Sequence, residues 1–194
     1  MQAQEINTDG DQEISADAEP MQPQVISADN ELFETTAIKF GSKLLECCFG
    51  CGIPVGYLEK ANMCHALWIS TPEKDNAIVV AFAMISKEDG ESQYKLHGVC
   101  VDPNFRNQGH GTALVKTGES LLPAGSTLCL CVDNYEDNTV QLCNWYTRLG
   151  FEREDPSFPE TLCDDDDFDS ERGECREIAF RKLVTGDQGS EVDL

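Results

Sequence analysis

Phe33, Ala37, Phe40, Leu44 and Cys48 recur at spacings of four, three, four and four, which places them along one stripe of a helix. Asp29 and Asn30 are good N-caps and Glu31 falls in the first turn, so the helix is predicted to begin there. Gly50, Gly52, Pro54 and Gly56 then break it. Three apolar, β-branched runs follow: His65–Ser70, Ala77–Ser86 and Gln93–Val101. Charged and turn-forming residues separate them, which predicts consecutive antiparallel strands. Helical spacing returns over Thr112–Leu122, with Leu114, Gly118, Leu121 and Leu122 on one side. A strand over Thr127–Val132 comes next. Asn138, with Gln141 three residues on, has the form of a capping box. The helix it opens carries Val140, Leu142, Cys143, Tyr146 and Leu149 and stops at Gly150. Arg176–Val184 reads as a last strand. Helix, three strands, helix, strand, helix, strand is the order of a mixed α/β domain around one central sheet.

Composition adds tails to that domain. Residues 1–25 mix Gln, Asp, Glu, Ala and Pro with almost no aromatic or β-branched content, the composition of a disordered segment. The chain divides into an acidic N-terminal tail over residues 1–28, a domain over 29–184 with an acidic loop at 152–175, and a C-terminal tail over 185–194. Of 194 residues 40% are apolar, enough for a real core. The net charge of −22 is uneven, with seven acids and no Lys or Arg in residues 1–30 and fifteen acids against five bases in 152–194. Such a surface repels phosphate backbones, which argues against nucleic acid, and it favours cationic substrates as well as simple solubility. Residues 1–30 have no basic n-region or apolar h-region, so no secretory leader is expected. The apolar run 77–85 is far short of the ~20 residues that span a bilayer. The expected home is the reducing cytoplasm, where the ten cysteines are thiols.

The chemistry concentrates in His97–Gly111, where a β-branched run breaks at Asp102-Pro103 and becomes a glycine-bearing loop leading into a helix. A strand, a loop rich in amides and a helix N-terminus form an anion cradle. A dinucleotide fingerprint requires a third glycine at position 114, where Leu114 stands, and a P-loop requires a lysine before Thr112, where Gly111 stands. The spacing that fits is Val-x-Pro-x-x-Arg-x-x-Gly-x-Gly, met by Val101, Pro103, Arg106, Gly109 and Gly111. Downstream, Asn138 precedes Tyr146-Thr-Arg-Leu-Gly150-Phe151. Together these resemble the acetyl-CoA-binding signatures of the GNAT superfamily of N-acetyltransferases. Leu96-His97-Gly-Val-Cys-Val, Phe105-Arg-Asn-Gln-Gly109 and the Tyr146 segment are further similar to the arylalkylamine (serotonin) N-acetyltransferases. That family has two strand histidines, two residues apart. Here the second is His97 and the first position is Lys95, so the two-histidine pair is absent.

The resemblance implies a three-layer α/β/α sandwich with a mixed, splayed central sheet, and acetyl-CoA as co-substrate. It places the pyrophosphate on the amides around Arg106, Asn107, Gln108, Gly109, His110, Gly111 and Thr112, with Asn138 and Tyr146 also at the cofactor. Val99, Cys100 and Val101 would contact pantetheine and the acetyl carbonyl through main-chain atoms. Glycines at 109 and 111 let the backbone approach phosphate oxygens. The implied reaction is acetyl transfer to a primary amine, a small arylalkylamine or polyamine, by direct attack through a tetrahedral intermediate. The alternatives are a protein lysine or N-terminal acetyltransferase and a non-catalytic CoA-binding regulatory domain. An amine of pKa ~10 is almost wholly protonated at neutral pH, so a base is needed, and an imidazole near ~6.5 suits it. His97 is that candidate, and period-two alternation puts it on one strand face with Lys95, Val99 and Val101. Tyr146 is the candidate acid for the departing thiolate. No metal is expected. Cys48-x-x-Cys51 is one zinc hook without a second, since Cys64 and His65 are adjacent, and Asp164–Asp167 lacks calcium-loop spacing.

Overall fold

Seven strands form one sheet in the order β1-β2-β3-β4-β5-β7-β6: β1 (Gln24–Ser27), β2 (Met63–Ser70), β3 (Val79–Lys87), β4 (Gln93–Val101), β5 (Thr127–Asp133), β6 (Glu152–Arg153) and β7 (Glu177–Leu183). Among the described residues it is accompanied by α1 (Phe33–Phe49), α2 (His110–Ser120) and α3 (Thr139–Arg148), and Leu58 is helical as well. A short 3-10 turn, Pro103–Phe105, links β4 to α2. This computed structural model describes residues 21–50, 52–53, 58, 61–72, 77–88, 92–133, 139–154 and 177–185. The predicted acidic loop over 152–175 and the C-terminal tail lie almost wholly outside those residues. Gln24–Ser27, which composition assigns to the N-terminal tail, is instead an edge strand antiparallel to β2, with Val25 opposite Leu67. Four residues are too few to show a period, and their order comes from the partner strand.

Helix α1 starts at Phe33 with Leu32 as its cap, two residues later than an Asn30 cap predicts. Asn30 is nevertheless used at the entry, its Oδ1 accepting from the Leu32 amide at 2.9 Å. The helix ends at Gly50, whose φ of 72° and amide bond to the Glu46 carbonyl close the last turn. Its buried stripe is Phe33, Ala37, Gly41, Leu44 and Leu45. These pack with Ala66, Trp68, Phe82, Met84 and Cys100 on one face of the sheet. The opposite face holds the larger core, where Leu114 and Val115 of α2 and Cys143 and Tyr146 of α3 meet Leu67, Ile69, Ile85, Leu128, Leu130 and Phe180. Val140, predicted in the α3 stripe, is 40% exposed. The arrangement is the three-layer α/β/α sandwich that the sequence predicts.

The sheet is mixed, and its one parallel pair among the described residues is short. β4 pairs with β5 only over Gln93–Lys95 against Thr127–Cys129, while β3 follows β4 up to Val101. Beyond Lys95 the two parallel strands part. Loops and a helix N-terminus at such a divergence gather where β4 ends, which is where the motif lies.

Strand β4 also carries a bulge. Phe82 faces Cys100 and Met84 faces His97, so β3 advances two residues while β4 advances three. The extra residue is accommodated at Gly98, whose φ is 57°. Period-two counting therefore fails across it. His97 and Cys100 face α1 with their partners Met84 and Phe82, whereas Leu96, Val99 and Val101 pack on the side of α2 and α3. The expected grouping of His97 with Val99 and Val101 is corrected by this one residue.

Close packing on the α1 side yields a test. A Cβ at Gly41 would lie 2.4 Å from the Phe82 ring, and Phe82 is fully buried. Gly41→Ala should lower stability by about 1–3 kcal/mol through overpacking, despite alanine's better helix propensity. Urea denaturation measures this, and an unchanged or raised midpoint would contradict the packing described.

Candidate active site

The loop after β4 is built from its own sequence. Asp102 accepts the Asn104 amide through Oδ1 at 2.9 Å, and Pro103 starts the 3-10 turn. Arg106 folds back, its Nε donating to the Val101 carbonyl at 3.3 Å. Asn107 (φ 63°) and Gly109 (φ 84°) both take left-handed backbone, which the glycine accepts without strain. Gly109 is the N-cap of α2 and supplies no side-chain cap. The first internal bond of the helix is from the Ala113 amide to the Gly109 carbonyl at 2.9 Å. The amides of His110, Gly111 and Thr112 are then the orphan donors of a helix N-terminus, the groups that hold an anion.

The two glycines do different work. Around Gly109 a Cβ would meet nothing within 4 Å, so its reason is backbone conformation. At Gly111 a Cβ would come 3.3 Å from the Trp145 ring and 3.6 Å from Val101. That glycine makes room for an indole, a role different from the phosphate approach expected of it. Trp145 Nε1 also donates to Thr112 Oγ1 at 3.3 Å. Trp145, absent from the motif, therefore ties α3 to the first turn of α2. His110 is 8% exposed and its Nε2 is buried without a partner.

On the other face of β4, His97 is mostly enclosed, and burial followed by the Lys95 charge pushes its pKa down from 6.5 to about 4, against a smaller upward pull from Glu88. Its Nε2 lies 2.8 Å from Ser86 Oγ, and Ser86 Oγ donates to Glu88 Oε1 at 3.0 Å. A hydroxyl has one proton, so Ser86 accepts from His97. The imidazole then carries its proton on Nε2 and keeps the Nδ1 lone pair. Ser86 is 1% exposed and Glu88 is exposed, so the chain runs from the sheet face to solvent. Neither residue belongs to a recognisable spacing. Only the register, with Ser86 opposite Lys95, brings them to His97.

Tyr146 sits in the other layer, 7% exposed, with its ring 4.6 Å from that of Trp145 and 5.7 Å from that of Phe151. Burial raises its pKa above the ordinary phenol range, so it stays protonated at neutral pH. Val99 and Val101 pack on Tyr146's side of the sheet. Asn138 lies outside the described residues. A cavity of about 510 Å³ opens on the face that carries Lys95 and its partner Cys129, lined in part by Thr127, Glu152, Glu154 and Arg181. No group of three His, Cys, Asp or Glu side chains converges as a metal site among the described residues. No described helix is long and apolar enough to cross a membrane.

Residues 65–153 match a family model described as an acetyltransferase (GNAT) domain. No curated protein sequence matches the chain. Among solved structures, an aminoglycoside 6'-N-acetyltransferase complexed with coenzyme A superposes with a TM-score of 0.57 at 16% identity, over 84% of this chain and 97% of that one. The ribosomal-protein-S18-alanine N-acetyltransferase of Escherichia coli gives 0.58 at 18%, over 87% and 98%. Ard1 of Thermoplasma volcanium gives 0.54 at 15%, over 84% and 97%. At these identities the likeness is one of fold. The family model, matched over residues 65–153, adds support for an acetyl-CoA-dependent N-acetyltransferase. The orphan amides of the first α2 turn and the open edge of β4 suit that co-substrate.

The buried imidazole gives a pH dependence. In the unfolded chain His97 titrates near ~6.5, and in the folded protein near 4. Between those values the unfolded chain binds the extra proton and the folded one does not. The contribution is therefore whole above about 6.5 and is lost as pH falls toward 4. The urea midpoint of the wild type should fall more between pH 7 and pH 5 than that of His97→Gln. Equal falls would remove His97 as the source.

Proposed function

We propose that the domain acetylates a small primary amine, an arylalkylamine or polyamine, by direct attack on the thioester of acetyl-CoA, with His97 as base and Tyr146 as proton donor to the leaving sulfur. The observation that carries this reading is the chain from His97 through Ser86 to exposed Glu88, set at the bulge where β4 leaves β5. Loop amides from Gln108 to Thr112, with Arg106 and Asn107 beside them, hold the pyrophosphate. Main-chain groups of Val99, Cys100 and Val101 line pantetheine. Asn138 completes the cofactor set. Unbridged thiols such as Cys47 and Cys48 suit action in the cytoplasm.

The amine nitrogen attacks the carbonyl carbon and the tetrahedral intermediate collapses with cleavage of the C–S bond. His97 Nδ1 takes the proton that the nitrogen loses. The Nε2 proton passes to Ser86 Oγ as the Ser86 proton passes to Glu88, which exchanges it with solvent. Imidazole at about 4 is too weak to hold that proton, which favours relay over storage. Tyr146 gives its proton to the thiolate, and the burial that raises the phenol also raises the thiol, which keeps the transfer feasible. Glu152 and Glu154 in the cavity wall and Glu88 at the end of the relay suit a cationic acceptor.

His97→Gln should reduce kcat/KM by about 10²-fold and abolish an acidic limb centred near pH 4. A variant that keeps the limb would dismiss His97 as the titrating base. Tyr146→Phe should lower kcat far more than acetyl-CoA affinity, and unchanged turnover would remove it from the acid role. The second reading is a protein acceptor, as the name of the Escherichia coli protein of similar fold states for that enzyme. Release of CoA thiol with aromatic amines, spermidine and a lysine peptide separates the two. Turnover with the peptide alone would replace the small-amine reading.

A further inference from the structure

Two cysteines that the acetyl-transfer reading does not use as side chains meet at the end of β4. Cys48 is on the last turn of α1, partly exposed, and Cys100 is buried in β4. Both side chains belong to the cluster under α1. Cys48 Sγ also reaches the Val101 carbonyl at 3.8 Å, the same oxygen that accepts Arg106 Nε at 3.3 Å. Cys100 Sγ points to the Phe82 carbonyl at 3.7 Å. One carbonyl thus gathers a thiol and a guanidinium, and Cys100, the residue before it in the strand, turns its thiol to the same layer.

We infer that Cys48 and Cys100 form a peroxide-oxidisable pair that closes into a disulfide joining the C-terminal turn of α1 to strand β4. The electrostatics support the division of labour. The Cys100 thiol, followed by the Arg106 charge, brings Cys48 down to about 6 against burial and the Asp102 charge. The same contact, with burial, pushes Cys100 up. These contacts favour the thiolate on Cys48 and the proton on Cys100. The Cys48 thiolate attacks a peroxide oxygen, giving a sulfenic acid and releasing water once the departing hydroxide is protonated. The Cys100 sulfur then attacks the Cys48 sulfur, the S–S bond forms and a second water leaves with the Cys100 proton. Both thiols are oxidised by one peroxide, which is reduced to two waters. Cys47 is exposed on the preceding helix position, and it is Cys48 that the helix turns toward Arg106.

The bond would fix α1 against the strand whose free edge is proposed to carry pantetheine. Chemically, however, the pair stands apart from acetyl transfer, and its failure would leave that reading intact. The test is hydrogen peroxide on the full chain at pH 7, with folding of each variant checked by circular dichroism. Tryptic cleavage after Lys43, Lys60, Lys95 and Arg106 separates Leu44–Lys60 from Leu96–Arg106. The expected product is these two peptides cross-linked, lower in mass by two hydrogens and released by dithiothreitol. Fragmentation must place the link at Cys48. Cys100→Ser, or Cys100→Ala should the serine not fold, should give a dimedone-trapped sulfenic acid on Cys48 and no cross-link. Cys48→Ser should slow oxidation of Cys100 by about tenfold or more. A link through Cys47 or Cys51, the absence of any cross-link, or an undiminished rate in Cys48→Ser would overturn the proposal.

Discussion

Strand β4 answers to two neighbours of unequal length. On one side β3 accompanies it as far as Val101, and on the other β5 accompanies it for three residues. Main-chain donors and acceptors do not stay unpartnered at low cost, so the edge from Leu96 onward suits a ligand that offers amide groups of its own. The bulge at Gly98 acts on the same stretch. It turns His97 and Cys100 to the α1 layer and leaves Val99 and Val101 toward α2 and α3. One strand thereby serves two compartments, with the proposed base in one and the proposed cofactor edge in the other. A Cβ at Gly98 would press to 2.9 Å from Leu45, so the residue that splits the faces is also held close by the helix above it.

Charge is managed by removal. His97 is held neutral and Tyr146 is held protonated, in both cases chiefly by burial. Neither brings a formal charge into the sheet. In the proposed reaction the charges belong to the reactants, to be met by amides at the start of α2 and by carboxylates at the rim.

Much of this was readable in the chain because its cause was local. The stripe of α1, the apolar run of β3 and the stops at Gly50 and Gly150 follow from spacing and backbone preference. Gly98 was also a signal, since an isolated glycine within a strand marks a bulge, and taking the strand as regular put Val99 and Val101 on the wrong face. Other features had no local cause. Gln24–Ser27 becomes a strand because β2 offers it an edge. Ser86 and Glu88 look like a strand end and a turn until pairing sets them beside His97. The shape of Gly111 is dictated by an indole more than thirty residues away.

That indole has a physical consequence. The chain has two tryptophans, and they report on opposite layers. Trp68 is stacked on Phe40 at 4.8 Å under α1, while Trp145 touches Gly111 and shares its ring N–H with Thr112. An anion drawn to the α2 amides alters the field at a chromophore bonded to the same turn. Emission from Trp145 is thus a built-in optical gauge of the loop's occupancy, and Trp68, on the far side of the sheet, serves as its internal reference.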